Sequence, residues 1–142
     1  MSAIRPRLVL LSCLLVTAAL SAWPQDEDAH TPPEGFVLNG DAEAGRAVFL
    51  KKCVVCHGEQ GDGQGRIKTD PPVRDLRDRD YMRRRSDWEI LLVIRDGGPA
   101  IGQSEKMLAW GKLLSEQELH DLVVYVRSLS EGGPEDRDSE TP

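Results

Sequence analysis

Aromatic side chains are few in this chain of 142 residues, only 5% of the sequence. A small domain usually leans on them for core volume, since each buries about 150–250 Å². Cysteine is also scarce. Three residues of this type cannot build the disulfide-dense scaffold that lets small secreted domains manage with little core. Positive charge is in deficit, with 18 Lys and Arg against 24 Asp and Glu and a net charge of −6. That balance argues against nucleic acid as a partner, because neutralising phosphates needs a basic face. No segment alternates apolar and polar residues with period two, so strands are not expected. The longest apolar run falls short of the roughly 20 residues that span a bilayer. One small domain poor in core is what is left, and it needs something besides apolar side chains and disulfides to hold it together.

The first 25 residues contain no acid. Arg5 and Arg7 precede an apolar run from Leu8 to Leu20, with small residues at Ala19, Ser21 and Ala22. A basic start, a short apolar stretch and a small-residue exit describe a secretory signal peptide, assigned to residues 1–22. An uncleaved anchor is the alternative. Cleavage removes both arginines and Cys13, leaving a charge of −8 and two cysteines. Residues 23–38, with acids and a Pro-Pro pair, read as a flexible leader. Residues 131–142 hold five acids and one Arg and read as an acidic disordered tail. The folded domain is expected over residues 39–130.

Three helices are legible there. One begins at Asp41, a good N-cap followed by Glu43, and runs into the cysteines. A second is announced by Ser86 and Glu89, a capping box, and stops at Gly97-Gly98-Pro99. A third opens with Ser115 and Glu118, carries Leu119, Leu122, Val123, Val126 and Leu129 on one face, and is expected to stop at Gly132-Gly133-Pro134. The domain is therefore mostly helical, and the long Gly- and Pro-containing loops suggest that something is wrapped inside it.

The run Cys53-Val54-Val55-Cys56-His57 carries the chemistry. On a helical end, Cys53 and Cys56 share a side, within reach of two vinyl groups of one porphyrin. The adjacent His57 can then bind the iron, so CxxCH reads as a c-type haem site. Three other readings use some of these residues. A structural zinc site wants two more ligands at paired spacing, and His30 and His120 stand alone. A thioredoxin-like CxxC wants a βαβ setting. A disulfide between cysteines three apart closes too short a loop to add much stability. Haem accounts for both cysteines at once.

From Gly40 to Leu129 the chain resembles the class I c-type cytochromes. The run Gly45-x3-Phe49-x3-Cys53-x2-Cys56-His57 is similar to the first helix and attachment motif of that family, and Leu122, Tyr125 and Leu129 to its last helix. The resemblance implies a small single-domain fold of three or more helices with long loops around one covalent haem. It implies thioether bonds through Cys53 and Cys56, His57 as proximal iron ligand and a later methionine as distal one. It places Tyr125 across the first helix near Gly45. By resemblance the second ring nitrogen of His57 donates to the carbonyl of Pro71 or Pro72.

Met107 lies 50 residues after His57, just before the last helix, where the family carries its ligand. Met82 is the other candidate, and Arg83, Arg84 and Arg85 beside it make a poor apolar pocket. The family usually has proline after its ligand and this chain has Leu108, which predicts a looser methionine loop. Trp88, Ile90, Leu91, Ile94 and Trp110 are candidate haem walls. Gly61-Asp62-Gly63-Gln64-Gly65 lacks the Gly-Lys-Ser/Thr of a phosphate loop and reads as a flexible loop beside the haem. Residues 74–87, with six arginines and four acids, read mainly as solvated surface with some capacity to pair with haem propionates. His120 is expected to be exposed.

The resulting expectation is an exported, periplasmic carrier of single electrons, not itself an enzyme, working free or as a small subunit of an oxidoreductase. Its partners would be a redox protein donor and acceptor with basic docking surfaces, as the net charge suggests. Membranes would be met only through partner complexes. The alternative is a haem-based ligand sensor or small catalytic haem protein, in which Met107 is labile or does not bind.

Overall fold

The computed structural model describes residues 30–132. The expected signal peptide, residues 23–29 of the leader and all but two residues of the tail lie outside the described residues, as does Cys13. The domain is mostly helical and has no strand among the described residues. Its helices are α1 (Ala42–Lys52), α2 (Val54–His57), α3 (Arg79–Arg83), α4 (Asp87–Asp96) and α5 (Glu116–Leu129), with a 3-10 turn at Gly98–Ile101 after α4. None of the described helices is long and apolar enough to cross a membrane.

Local signals start these helices where expected. Asp41 caps α1 by accepting from the Ala44 amide at 2.7 Å. Ser86 and Ser115 form complete capping boxes with Glu89 and Glu118. The end of α4 falls at Gly97, whose φ of 90° a side chain would strain. In contrast, α5 ends at Leu129, before the glycine pair expected to stop it. The short α2 and α3 carry too few residues for a periodic signal.

Helix α1 crosses α5 in close contact. A Cβ at Gly45 would overlap the Asp121 carbonyl, so backbone meets backbone at this point. Tyr125 lies beside the crossing, where the resemblance placed it, and its ring centre is 5.2 Å from that of Phe49. The predicted stripe of α5 is buried at Leu119, Leu122, Val123 and Val126 and half-buried at Leu129. With Phe49, Met82, Leu91 and Ile94 it forms one core.

Two polar assemblies lock the elements around that core. The buried Asp121 carboxylate accepts from the Asp41 amide at 2.8 Å and from Gln117 Nε2 at 2.9 Å. Beside it, His120 Nδ1 accepts from the Asn39 amide at 3.2 Å, so this histidine has a holding role that its sequence position did not suggest. Phe36, in the stretch read as leader, packs edge-on against Trp88 at 5.1 Å, and Leu38 also joins the core. On the other side, Arg127 Nη1 donates to the Met82 carbonyl at 2.7 Å. Its Nη2 donates to the Arg85 carbonyl at 2.8 Å and to Asp87 Oδ1 at 2.6 Å. One guanidinium thus ties α5 to α3 and α4.

Candidate functional site

Four segments meet around a cavity of about 390 Å³. Helix α2 supplies Cys53, Cys56 and His57 at its edge, because Cys53 ends α1 and the chain turns directly into α2. The residues from Thr69 to Leu76 form another wall, α4 contributes Ile90, Val93 and Ile94, and the loop after the 3-10 turn brings Met107 and Trp110. The lining is mainly apolar. Met107 and the three residues of the CxxCH motif are therefore brought to one cavity, although 50 residues separate His57 from Met107.

The two cysteines are free thiols. Burial, helped by the neighbouring Cys56 sulfur, pushes the Cys53 thiol up to about 11, so it stays protonated at neutral pH. Burial also holds the His57 pKa below its ordinary value and keeps the imidazole neutral, the form that binds a metal. His57 Nδ1 is buried and has no hydrogen-bond partner. The expected bond to Pro71 or Pro72 is thus not made. Instead, the Pro71 carbonyl accepts from Thr69 Oγ1 at 2.6 Å.

The glycine loop is stitched to the motif rather than loose. Gly63 donates to the His57 carbonyl at 2.8 Å, Gly65 to the Cys56 carbonyl at 3.3 Å and Ile67 to the Val55 carbonyl at 2.9 Å. A Cβ at Gly65 would come within 2.5 Å of the Cys56 carbonyl, so only glycine permits this approach. The methionine loop is fastened too. The Gly98 amide donates to the Met107 carbonyl at 2.9 Å, and Met107 donates to the Ser104 carbonyl at 3.1 Å. Trp110 and Gly111 donate to the carbonyls of Ile94 and Arg95 at 3.0 and 2.8 Å. Hydrogen bonds to the end of α4 supply the constraint that a proline at position 108 would have given.

Several expectations about the walls change. Ile90, Ile94 and Trp110 line the cavity, whereas Trp88 packs on Phe36 and Leu91 belongs to the core. Met82 is 2% exposed and also lines the cavity, while its neighbours Arg83 and Arg84 are exposed. Residues 74–87 are not surface throughout. Arg74 and Arg85 both line the cavity and flank the Tyr81 ring, their guanidinium carbons 4.4 and 5.2 Å from its centre. Arg85 Nη1 pairs with Glu89 at 3.0 Å, while its Nε is buried without a partner. Only the i, i+4 spacing of Tyr81 and Arg85 hinted at this cluster. Lys52, Arg74, Arg85 and Lys106 line the cavity, and no carboxylate does.

These features fit a large, flat, apolar prosthetic group that carries carboxylates. Two thiols, a neutral imidazole and two thioethers line the apolar space, together with a buried guanidinium nitrogen that has no hydrogen-bond partner.

Comparison with known proteins points the same way. A family profile described as cytochrome c oxidase, cbb3-type, subunit III matches residues 40–126. A cytochrome c-553-like protein of Synechocystis sp. is 62% identical over 95 residues, covering 66% of this chain and 74% of that protein. FixP of Azorhizobium caulinodans, named a cbb3-type cytochrome c oxidase subunit, is 33% identical over 113 residues, 78% of this chain and 36% of that protein. FixPc of Rhizobium leguminosarum bv. viciae, named likewise, is 31% identical over 93 residues, 66% of this chain and 29% of that protein. The chain thus spans about a third of these two oxidase subunits. No solved structure matches it.

Proposed function

Since the chain belongs to the cytochrome c family described as cytochrome c oxidase, cbb3-type, subunit III, with haem c as its covalently bound, iron-containing cofactor, we propose that it is an exported monohaem carrier of single electrons. The observation that carries this reading is the meeting of Cys53, Cys56, His57 and Met107 on one apolar cavity. Haem supplies a one-electron Fe(III)/Fe(II) couple when bound.

The chain's own residues do the rest. Cys53 and Cys56 would hold the group through thioether bonds, each thiol's S–H adding across one vinyl group with no external oxidant needed. His57 would offer a neutral imidazole to the iron, and Met107 its thioether. With His57 and Met107 both holding the iron, no site would be left for substrate, which favours a carrier over an enzyme. A thioether ligand and an apolar lining both favour the ferrous state. The bonds that pin the Met107 loop favour a persistent ligand over a labile one, and so favour the carrier over a ligand sensor. Arg74 and Arg85 would offset the propionates, with Arg85 Nε able to donate.

The apolar run that begins at Leu8 supports export, and with it a periplasmic location. The named oxidase subunits among the relatives support work beside, or as part of, a membrane-bound oxidoreductase that donates or accepts electrons.

The test is the optical spectrum of ferric protein exported from a host that attaches haem. Covalent haem with the weak far-red band of methionine–iron ligation is expected. Covalent haem without that band would turn the reading to a sensor or catalytic haem protein. A colourless folded protein would overturn the proposal.

A further inference from the structure

Part of the stretch read as leader reaches α4 at two points. The Phe36 amide donates to the Pro33 carbonyl at 3.0 Å, and the Phe36 ring packs edge-on against Trp88 at 5.1 Å. Further back, His30 Nδ1 lies 3.4 Å from Glu89 Oε1. The same carboxylate oxygen accepts from Arg85 Nη1 at 3.0 Å, while Oε2 accepts from the Ser86 amide at 2.9 Å. One oxygen is therefore shared between an imidazole and a guanidinium. That guanidinium lines the cavity, and its Nε is buried without a partner.

We propose that Glu89 is a positioning residue for Arg85 and that, through it, a proton on His30 tunes the reduction potential of the haem. The proposal rests on the haem carrier reading above. Glu89 and Arg85 cancel each other's charge, so with His30 neutral the cluster carries none. A proton on His30 adds one positive charge and a competing N–H donor for Oε1, which draws the carboxylate off Arg85. The cavity wall becomes more positive, and positive charge there favours the ferrous state. Partial burial limits screening, since the Arg85 and Glu89 side chains are 24% and 14% exposed. Glu89 stays ionised where imidazoles titrate, between about pH 5 and 8. Burial works to raise its pKa, but the Ser86 amide and Arg85 outweigh it and hold it below the ordinary 4.5. The other charges on or beside α4 are committed or exposed. Arg127 of α5 holds Asp87, Asp96 holds Arg95, and Asp80 holds Arg83 within α3, while Glu34 and Arg84 are exposed. A second imidazole, His120, has its ring centre 6.0 Å from that of Phe36 and accepts from the Asn39 amide.

On reduction the protein would take up one electron from an electrode and a fraction of a proton from solvent, carried by His30. In spectroelectrochemical titrations of the intact holoprotein, the potential is expected to rise as pH falls from about 8 to about 5 and to level off at both ends. His30→Gln should hold the potential near its high-pH level across that range. Glu89→Gln retains a side chain that can complete the capping box. It should raise the potential at pH 8 and flatten the pH dependence. His120→Gln should leave the dependence in place. Linkage is reciprocal, so the His30 imidazole, followed by NMR, should titrate at higher pH in the ferrous protein than in the ferric. A potential independent of pH in the unaltered protein would overturn the proposal, and so would a dependence undiminished by His30→Gln. A dependence lost with His30→Gln but kept in full by Glu89→Gln would take the positioning role from Glu89. Each of these results leaves the haem reading standing, whereas a purified protein with no haem absorbance to follow would remove both.

Discussion

Two thioethers face the same cavity, and they are held quite differently. Met82 is packed into the core, with its backbone carbonyl gripped by Arg127. Met107 is half-buried on a loop whose amide and carbonyl are both hydrogen-bonded, which frees its side chain to reach a metal from a fixed base. Met107→Ala should therefore abolish the six-coordinate low-spin spectrum and its far-red band. Met82→Leu, a nearly volume-conserving swap, should keep that spectrum and cost under about 1.5 kcal/mol. The opposite pattern in the two spectra would move the ligand to Met82. Arg85 gives a second test. A cation beside the cofactor favours the ferrous state, so Arg85→Met should lower the reduction potential in a spectroelectrochemical titration, and an unchanged potential would remove Arg85 from the site. The CxxCH motif was legible in the sequence because its chemistry depends on three-residue spacing alone. Arg85 was not, because the burial of its Nε depends on how α3, α4 and the residues around Tyr81 pack together.

The same division holds for the elements. Caps are local, so the starts of α1, α4 and α5 followed from Asp41, Ser86 and Ser115. The crossing of α1 on α5 is tertiary and shows in the sequence only as one glycine in a helix. Alanine is the better helix former by about 1 kcal/mol, so propensity alone makes Gly45→Ala stabilising. Overlap with the Asp121 carbonyl forces the helices apart, and overpacking of this kind costs about 1–3 kcal/mol. The net effect should be destabilisation, read as a lower midpoint in thermal unfolding. A gain would show that the crossing yields easily. Ser86→Ala should cost about 1 kcal/mol through the lost cap. Its partner adds a pH dependence. Burial works to raise the Glu89 pKa, but the Ser86 amide and the Arg85 guanidinium outweigh it and hold the carboxyl below its ordinary value of 4.5. A lowered pKa in the folded state means stability that is full above that ordinary value and lost as pH falls through the folded one. Glu89→Gln should flatten this part of an acid unfolding curve, and an unaltered curve would assign the loss to other groups.

At the scale of the whole molecule, the scarcity of large apolar side chains and the cavity are one fact seen twice. The helices pack around Leu119 and Val123, while Phe49 and Leu122 join that core and also line the cavity. A sealed, empty void of about 390 Å³ would cost on the order of 9 kcal/mol at roughly 24 cal/mol per Å³. That is comparable with the entire stability of a small domain, about 5–15 kcal/mol. The cavity opens to solvent, so water lowers this cost, but water cannot replace apolar contacts with Ile90, Ile94 and Trp110. Haem c can, and a covalent bond keeps it there whatever its free concentration. The long loops carry the consequence. Those around Gly63 and Met107 are held by bonds to α2 and α4, elements that themselves line the cavity, so losing the filler loosens the loops and their anchors together. Combining Cys53→Ser with Cys56→Ser should give a protein that keeps part of its far-ultraviolet helical signal, through the caps and the α1–α5 contact. It should lose near-ultraviolet ellipticity and cooperative unfolding. Restoring one cysteine should restore attachment through a single thioether and recover part of the cooperativity. A doubly replaced protein that unfolds as sharply as the holoprotein would mean that α1, α4 and α5 suffice by themselves, and that haem is cargo in this fold rather than its core.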